Sequence, residues 1–191
     1  MNTEELLEKN RYINVEFDWW DDEYDYFIGQ MEAIGLSVDA GDIKFTGFYS
    51  QGDGASFEGR IHNSNLRLFM EQHKIAEQYE ATYNMAKLGQ VDIRLVRSLS
   101  HYCHEYTINL DIEDQGTYGG DSIREAVFDA AYEVYQQELP KFEEEVLKIC
   151  RNYMSSLYGE LRNQFDYLTS DKEVLACLEA NNRYVSPPLV A

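Results

Sequence analysis

The feature that most constrains the fold is a pair of aromatic, β-type segments separated by a short, glycine-rich loop. The first segment spans Asp42 to Tyr49, the second spans Ala55 to Ile61, and residues 50–54 connect them. Glycine allows positive φ angles and lets other groups approach the backbone closely. The pattern therefore predicts a β-hairpin with an exposed polar loop.

A second hairpin is predicted further along the chain. Val91, Ile93 and Leu95 alternate with polar residues, as in a half-buried strand. Residues 102–112 alternate more regularly still, with an apolar or aromatic set on one face and mostly polar residues on the other. We expect these two strands to pair, which makes four strands joined as two antiparallel hairpins.

Helical patterns precede, separate and follow the strands. They cover residues 3–10, a run from an N-cap at Asp18 to a stop at Gly35, residues 66–88, a long run from Asp121, and residues 171–182. Residues 12–17 fit either a strand or an extended arm. The long run has an apolar stripe made of Ile123, Val127, Ala131, Val134, Tyr135, Leu139, Phe142, Val146, Cys150, Tyr153, Met154 and Leu157.

A proline interrupts this long helical run. Pro140 removes a helix hydrogen bond, so we expect either a kink or two helices that meet near Leu139.

These patterns predict an α+β fold: an antiparallel sheet of about four strands in two hairpins, packed against several helices, with a long helical C-terminal segment. The 191 residues contain 44% apolar residues, enough for one sizeable core, and show no break in composition. We therefore expect a single domain over residues 1–185 and a flexible tail over residues 186–191.

The chain is strongly acidic. Sixteen Lys and Arg against 35 Asp and Glu give a formal net charge of −19. A free-standing nucleic-acid binder needs clustered cations to contact phosphates, so direct binding of DNA or RNA is disfavoured. An acidic surface can bind a basic surface of another protein, whereas on charge alone a solvated surface that promotes solubility is the simpler interpretation.

Acidic residues and two tryptophans are concentrated in one stretch near the N-terminus. Tryptophans are more often core or interface anchors than catalytic residues, and the adjacent carboxylates suit a basic partner. The candidate partner-binding residues are Asp18, Trp19, Trp20, Asp21, Asp22, Glu23 and Asp25.

Polar groups at two places suggest a small-molecule site. The loop offers an alcohol, an amide and a carboxylate, and two histidines lie near the start of the second hairpin's last strand. If the strands are neighbours, the set could bind a polar ligand, or Asp53 could orient a histidine as a general base. The candidate ligand-binding residues are Ser50, Gln51, Gly52, Asp53, Gly54, His101, His104 and Glu105.

Other features weaken the catalytic hypothesis. His104 and Glu105 point to opposite faces of a regular strand, so both line one pocket only if a bulge intervenes. His101 and His104 lack metal-ligand spacing, and a buried, hydrogen-bonded His104 is the better interpretation. Nucleotide-binding and hydrolase motifs are missing from the sequence. We expect no metal and no cofactor, and we favour a binding protein over an enzyme.

Compartment can be inferred from three further features. Cys103, Cys150 and Cys177 are odd in number and far apart, as in reduced cytoplasmic proteins. The N-terminal residues do not have the pattern of a signal peptide, and no stretch approaches 18 apolar residues. We expect a cytoplasmic protein without a membrane span.

Several segments together carry a resemblance to a known family. They are residues 13–20, the Phe45–Gly59 segment with its Ser-Gln-Gly-Asp-Gly loop, His104-Glu105 with Thr107, residues 158–171 and residues 179–182. Their resemblance is to a family of uncharacterised, mainly bacteriophage-encoded proteins. It implies a phage context and, in an infected cell, the host cytoplasm. It implies no mechanism.

Three functional hypotheses follow. The leading one is an acidic phage accessory protein that binds and modulates a host protein, such as a nuclease or another defence factor, by imitating the charge of nucleic acid. The second is a nucleotide-binding protein or enzyme with a pocket at residues 50–53 and the histidines. The third is a structural or assembly role in the virion; self-association is compatible with each.

Overall fold

The computed structural model describes residues 2–114 and 122–181 of the chain, with the backbone alone for residues 122–128. It contains helices and two small antiparallel sheets, and its long helix lies towards the C-terminus. The predicted α+β fold class is confirmed. The predicted tail at 186–191 lies outside the described residues.

The strands form two sheets and not one. Strand β1 (Ile43–Phe45) pairs with β2 (Ala55–Phe57). Strands β3 (Gly59–Ile61), β4 (Val91–Arg97) and β5 (Ile108–Asp114) form the second sheet in that order.

The predicted strand over Ala55 to Ile61 is therefore divided at Glu58. The backbone N–H of Glu58 donates to the carbonyl of Asp42 at 3.3 Å, on the side of the first sheet. Its carboxylate accepts the backbone N–H of Arg97, at the end of β4, at 3.0 Å. Glu58 thus bonds to Asp42, directly before β1, and to Arg97 of β4, at the residue where the chain passes between the sheets.

The predicted strand over residues 102–112 begins only at Ile108. His104 accepts the backbone N–H of Tyr106 through Nδ1 at 3.2 Å and precedes a short 3-10 helix, Glu105–Thr107. The Thr107 hydroxyl donates to the His104 carbonyl at 2.7 Å. Such local side-chain bonds compete with strand pairing, which explains the shorter strand.

The helices are α1 (Thr3–Asn10), α2 (Asp21–Ala33), α3 (Asn63–Gln72), α4 (Glu80–Lys87), α5 (Ser122–Leu168) and α6 (Asp171–Ala180). Ser170 caps α6 by accepting the backbone N–H of Glu173. Among the described residues, no helix is both long and apolar enough to cross a membrane.

Two helix predictions and one strand prediction need correction. Helix α2 begins at Asp21, so Asp18 lies in the turn before it and not at the N-cap position. Residues 12–17 contain a 3-10 helix, Ile13–Val15, instead of a strand or extended arm. The predicted helix over 66–88 is two helices, because Lys74 adopts a φ of 58° and the Ile75 N–H bonds back to the Met70 carbonyl.

Helix α5 runs through Pro140 without a break, so the alternative of two helices meeting near Leu139 is wrong. Its buried residues in unit 2, defined below, are Tyr135, Phe142, Val146, Cys150, Met154 and Leu157. Ala131 and Val134, which the sequence pattern placed on the same buried stripe, are exposed. The side chains of Ile123 and Val127 lie outside the described residues.

The chain divides into two compact units. Unit 1 combines the described residues up to Glu23 with those from Gly159 onward. Its core contains Leu7, Val174 and Leu178, and Arg11 forms an ion pair with Asp171.

Unit 2 spans Tyr24–Tyr158 and contains both sheets. In its core the ring of Phe57, from β2, lies 5.4 Å from that of Phe27, from α2. A second pair, Tyr79 and Phe142, has its ring centroids 5.4 Å apart.

We expect Phe57→Ala to reduce the free energy of unfolding by about 3–5 kcal/mol, because a fully buried ring is lost and a cavity remains. Tyr26→Ala, which removes an exposed ring of α2, should change it by less than about 0.5 kcal/mol. Urea denaturation measures both. Equal, small losses would show that Phe57 does not belong to a packed core.

Candidate functional site

Aromatic rings hold the loop over residues 46–54 in place at the end where it leaves β1. Phe48 stacks between Phe45 and Tyr158, with ring centroids 5.7 and 5.5 Å away. The Tyr158 hydroxyl donates to the Gly47 carbonyl at 3.4 Å. The Thr46 N–H bonds to the Gly54 carbonyl at 3.0 Å, so the two ends of the loop are also joined by the backbone. The loop is therefore anchored to α5 and not freely projecting.

Asp53 closes the tip of the loop. Its Oδ2 accepts the backbone N–H of Ser50 at 2.7 Å, and its own N–H donates to the Ser50 carbonyl at 3.2 Å. This is a common role for aspartate in turns, where the carboxylate satisfies nearby backbone donors. The neighbouring Gln51 is exposed. The Asp53 carboxylate thus stabilises its own turn.

The two glycines of the loop lie against residues 102–104. Gly52 has a φ of +90°, and a Cβ added there would lie 2.7 Å from a ring atom of Tyr102. A Cβ on Gly54 would lie 2.5 Å from Cβ and 2.6 Å from Cα of His104. Positive φ explains Gly52, whereas Gly54 is required because another backbone lies beside it.

The segment over 101–107 is a capped loop and not the start of a strand. His101 packs on the Tyr102 ring, with centroids 3.9 Å apart. His104 is hydrogen-bonded as predicted but only half-buried. Glu105 lies in the 3-10 helix, so the prediction that His104 and Glu105 project from opposite faces of a strand was wrong.

The loop and the histidine segment do meet, as a shared site requires. The meeting is a packing contact, in which Tyr102 lies on Gly52 and His104 lies on Gly54. Asp53 bonds to Ser50 and His104 bonds to Tyr106, and within the described residues no bond joins Asp53 to a histidine. The arrangement does not form an aspartate–histidine general base.

The described part of the chain contains no group of three or more His, Cys, Asp or Glu residues that could hold a metal ion.

The acidic stretch before and within the first turn of α2 lies in unit 1. Trp19 is buried and packs on Phe165, with ring centroids 5.9 Å apart, and Trp20 meets Trp19 edge-on at 5.7 Å. The exposed carboxylates of this stretch are Glu16, Asp18, Asp21 and Asp22, which make no ion pair with the described residues. Trp19 is thus a core anchor that fixes an exposed acidic turn; Asp25 is exposed in unit 2.

Glu23 lies beside these carboxylates, and its surroundings disfavour its charged form. Partial burial raises its pKa, and the negative charges of Glu160 and Asp22 raise the pKa further. Each of these causes disfavours the charged form of Glu23. Among the described residues, no cation forms an ion pair with Glu23 that would offset this repulsion.

A further cavity, of about 460 Å³, lies on the outer face of the second sheet, and the sequence analysis missed it. Arg60 and Arg94 face each other across β3 and β4, but Asp92 pairs with Arg60 at 3.4 Å and Glu113 with Arg94 at 2.7 Å. These acids offset the basic charge of the cleft. Asp92 and Arg94 lie two residues apart on the same face of β4, and this pair of charges was the signal in the sequence that could have indicated the cleft. Its lining residues include Ser37, Asp39, Asp42, Glu58 and His62.

We expect Gly54→Ala to lower the free energy of unfolding by about 1–3 kcal/mol, because the new Cβ collides with the backbone of His104. Gly41→Ala is the control, since a Cβ there meets nothing within 4 Å. Thermal or urea unfolding measures both variants. Equal stability of the two would show that the loop does not lie on His104.

We expect Glu23→Gln to stabilise the protein at pH 7. A raised folded-state pKa means that folding favours the protonated carboxyl, so the charged form destabilises the fold above that pKa. The advantage of the glutamine variant should disappear as the pH falls below the usual glutamate pKa of about 4.3. Glu77→Gln, at an exposed position, controls for the loss of one charge. A stabilisation that does not vary with pH would refute the electrostatic cause.

Comparisons with known proteins place this chain in a family. No curated protein and no solved structure matches the chain. A family model matches residues 19–171, which include the glycine loop and the segment over 101–107. The chain belongs to the family described as Domain of unknown function (DUF8835).

Proposed function

We propose that this protein binds and modulates another protein through the acidic surface formed by Glu16, Asp18, Asp21, Asp22 and Glu23. The partner presents a lysine- and arginine-rich surface of the kind that contacts nucleic acid, such as the surface of a host nuclease or another defence factor. Carboxylates on this surface stand in for phosphates.

The observation that carries the proposal is the set of exposed carboxylates of Asp18, Asp21 and Asp22, which make no ion pair with the described residues. Partial burial raises the pKa of the adjacent Glu23, and repulsion by Glu160 and Asp22 raises it further. A cationic partner would relieve this repulsion and stabilise the charged forms together. Repulsion between carboxylates destabilises the free protein, and binding of a basic surface would remove that destabilisation.

An exposed aromatic ring lies within the same surface. The Phe17 side chain is 65% exposed and lies between Glu16 and Asp18 in the sequence. Aromatic residues surrounded by polar groups are typical anchors of protein interfaces, because their burial contributes much of the binding energy. Phe17 supplies the apolar contact that a purely electrostatic surface lacks.

The state of the glycine loop also favours binding over catalysis. The Asp53 carboxylate and the His104 Nδ1 accept backbone N–H groups of their own loops. Bonds of this kind give Asp53 Oδ2 and His104 Nδ1 a structural role in their own turns. The resemblance to phage proteins adds a context in which small acidic proteins often bind host proteins.

We expect the triple variant Asp18→Asn, Asp21→Asn and Asp22→Asn to lose capture of a basic bacterial protein from lysate by about tenfold or more, because the screened attraction over about 8 Å is removed. Raising the salt concentration should weaken capture by the unmodified protein in the same way.

The control variant carries Glu4→Gln, Glu8→Gln and Glu179→Gln, three exposed acids of the same unit, and has the same net charge as the test variant. It should retain capture. Mass spectrometry of the captured proteins identifies the partner, and circular dichroism verifies folding. Equal capture by both variants, or capture that withstands high salt, would contradict the proposal.

A further inference from the structure

An apolar groove lies between α4 and α5 in unit 2. It has a volume of about 390 Å³ and is lined by Ala81 and Met85 of α4, by Leu88 directly after α4, by Ala131 and Val134 of α5, and at its edges by Glu80, Asn84 and Glu138. The small side chains of Ala81 and Ala131 leave room for an incoming group between the helices. The groove is separate from the glycine loop, whose residues are not part of its lining.

The apolar side chains of this groove belong to helix faces that the sequence pattern assigned to the core. Leu88 is 52% exposed and Val134 is 55% exposed, although both continue apolar stripes of their helices. Adjoining exposed apolar residues mark an interaction surface more often than isolated ones do. Leu88 and Val134 thus form an exposed apolar patch at the groove.

The walls of the groove are held in place by hydrogen bonds. Glu138 of α5 accepts the backbone N–H groups of Ala81 and Thr82, at 3.3 and 2.9 Å, and the Thr82 hydroxyl at 2.7 Å. These bonds satisfy free donors at the start of α4. The Tyr79 hydroxyl donates to the Lys141 carbonyl at 3.1 Å. A groove with fixed walls binds a partner at a low entropic cost.

The edges of the groove are acidic. Glu80 and Glu138 line its edge, Glu77 lines a neighbouring cleft together with Glu80, and Glu133 is exposed next to Val134 in the sequence. Desolvation raises the pKa of the nearby Tyr79, and the negative charges of Glu145, Glu138 and Glu144 raise it further. The nearby cation of α4, Lys87, lies over the Tyr83 ring at 4.6 Å. The groove therefore combines an apolar floor with a mostly negative border.

We propose that this groove docks an amphipathic helix of the partner, with apolar side chains that fill the floor and lysines or arginines that pair with Glu77, Glu80 and Glu133. Apolar grooves commonly bind helices through residues spaced three and four apart. The inference rests on the proposed function for the basic character of the partner. A second copy of this chain fits poorly, because it would bring two acidic borders together.

The probe is a fluorescein-labelled synthetic peptide of leucine and lysine in an amphipathic helical pattern, followed by fluorescence anisotropy. Leu88→Gln and Val134→Gln should each weaken its binding by about tenfold, because apolar contacts at the centre of the groove are lost. Leu99→Gln removes an exposed leucine elsewhere in unit 2 and should leave the affinity unchanged.

A peptide of the same composition with its leucines scrambled should bind at least about tenfold more weakly, since it keeps the charge and loses the apolar face. Equal affinity for the two peptides, or for the groove variants and the unmodified protein, would overturn the proposal. So would a dimer in sedimentation that Val134→Gln dissociates, because a second copy would then occupy the groove.

The two proposals fail separately. The Asp18, Asp21 and Asp22 variant should keep its affinity for the peptide while it loses capture of the basic protein. Peptide binding that depends on Leu88 and Val134, without any capture that depends on the acidic surface, would support the groove and contradict the proposed function. Capture that depends on the acidic surface, with peptide binding unaffected by the groove variants, would support the proposed function and contradict the groove proposal.

Discussion

The close approach of Gly54 to His104 is the contact on which the arrangement of the two hairpins in unit 2 depends. Any side chain at position 54 would lie within the backbone of residue 104. Because the contact is between backbones, no rearrangement of a flexible side chain can relieve a collision there. The contact fixes the glycine loop of the first hairpin against the connection of the second, and it decides where their polar side chains can point.

This contact also limits what the loop can do chemically. Once Tyr102 lies on Gly52 and His104 on Gly54, the faces of the loop that glycine leaves open are filled by the protein itself. Asp53 and His104 then satisfy backbone donors in their own segments. A short polar loop with two glycines is compatible either with a ligand site or with close packing against the protein. The groups that lie against the two glycines distinguish these alternatives, and here they are Tyr102 and His104.

Sequence patterns predicted the fold class and most of the helices because these depend on local periodicity. They also predicted the pairing of β4 with β5, whose apolar residues alternate through Ile93, Leu95 and Ile108. They could not predict the division at Glu58 or the late start of β5, since both result from side-chain bonds to backbone groups. The shared location of the loop and His104 was anticipated, but the contact that joins them depends on Tyr102 lying on Gly52 and His104 lying on Gly54, which alternation along one strand does not encode.

The carboxylates of this acidic chain fall into two groups, according to the groups that contact them. Those of Asp53, Glu58 and Glu138 each accept backbone N–H groups and hold a turn, a strand end and a helix start. Those of Asp21 and Asp22, in contrast, receive no cation from the described residues, and their neighbour Glu23 is destabilised as an anion. Solubility requires net charge but does not require that like charges be held together near a partly buried position. The first-turn position of Asp21 and Asp22 favours helix α2, and we propose that these same carboxylates, which pair with no cation of the described residues, form a surface for a cationic partner.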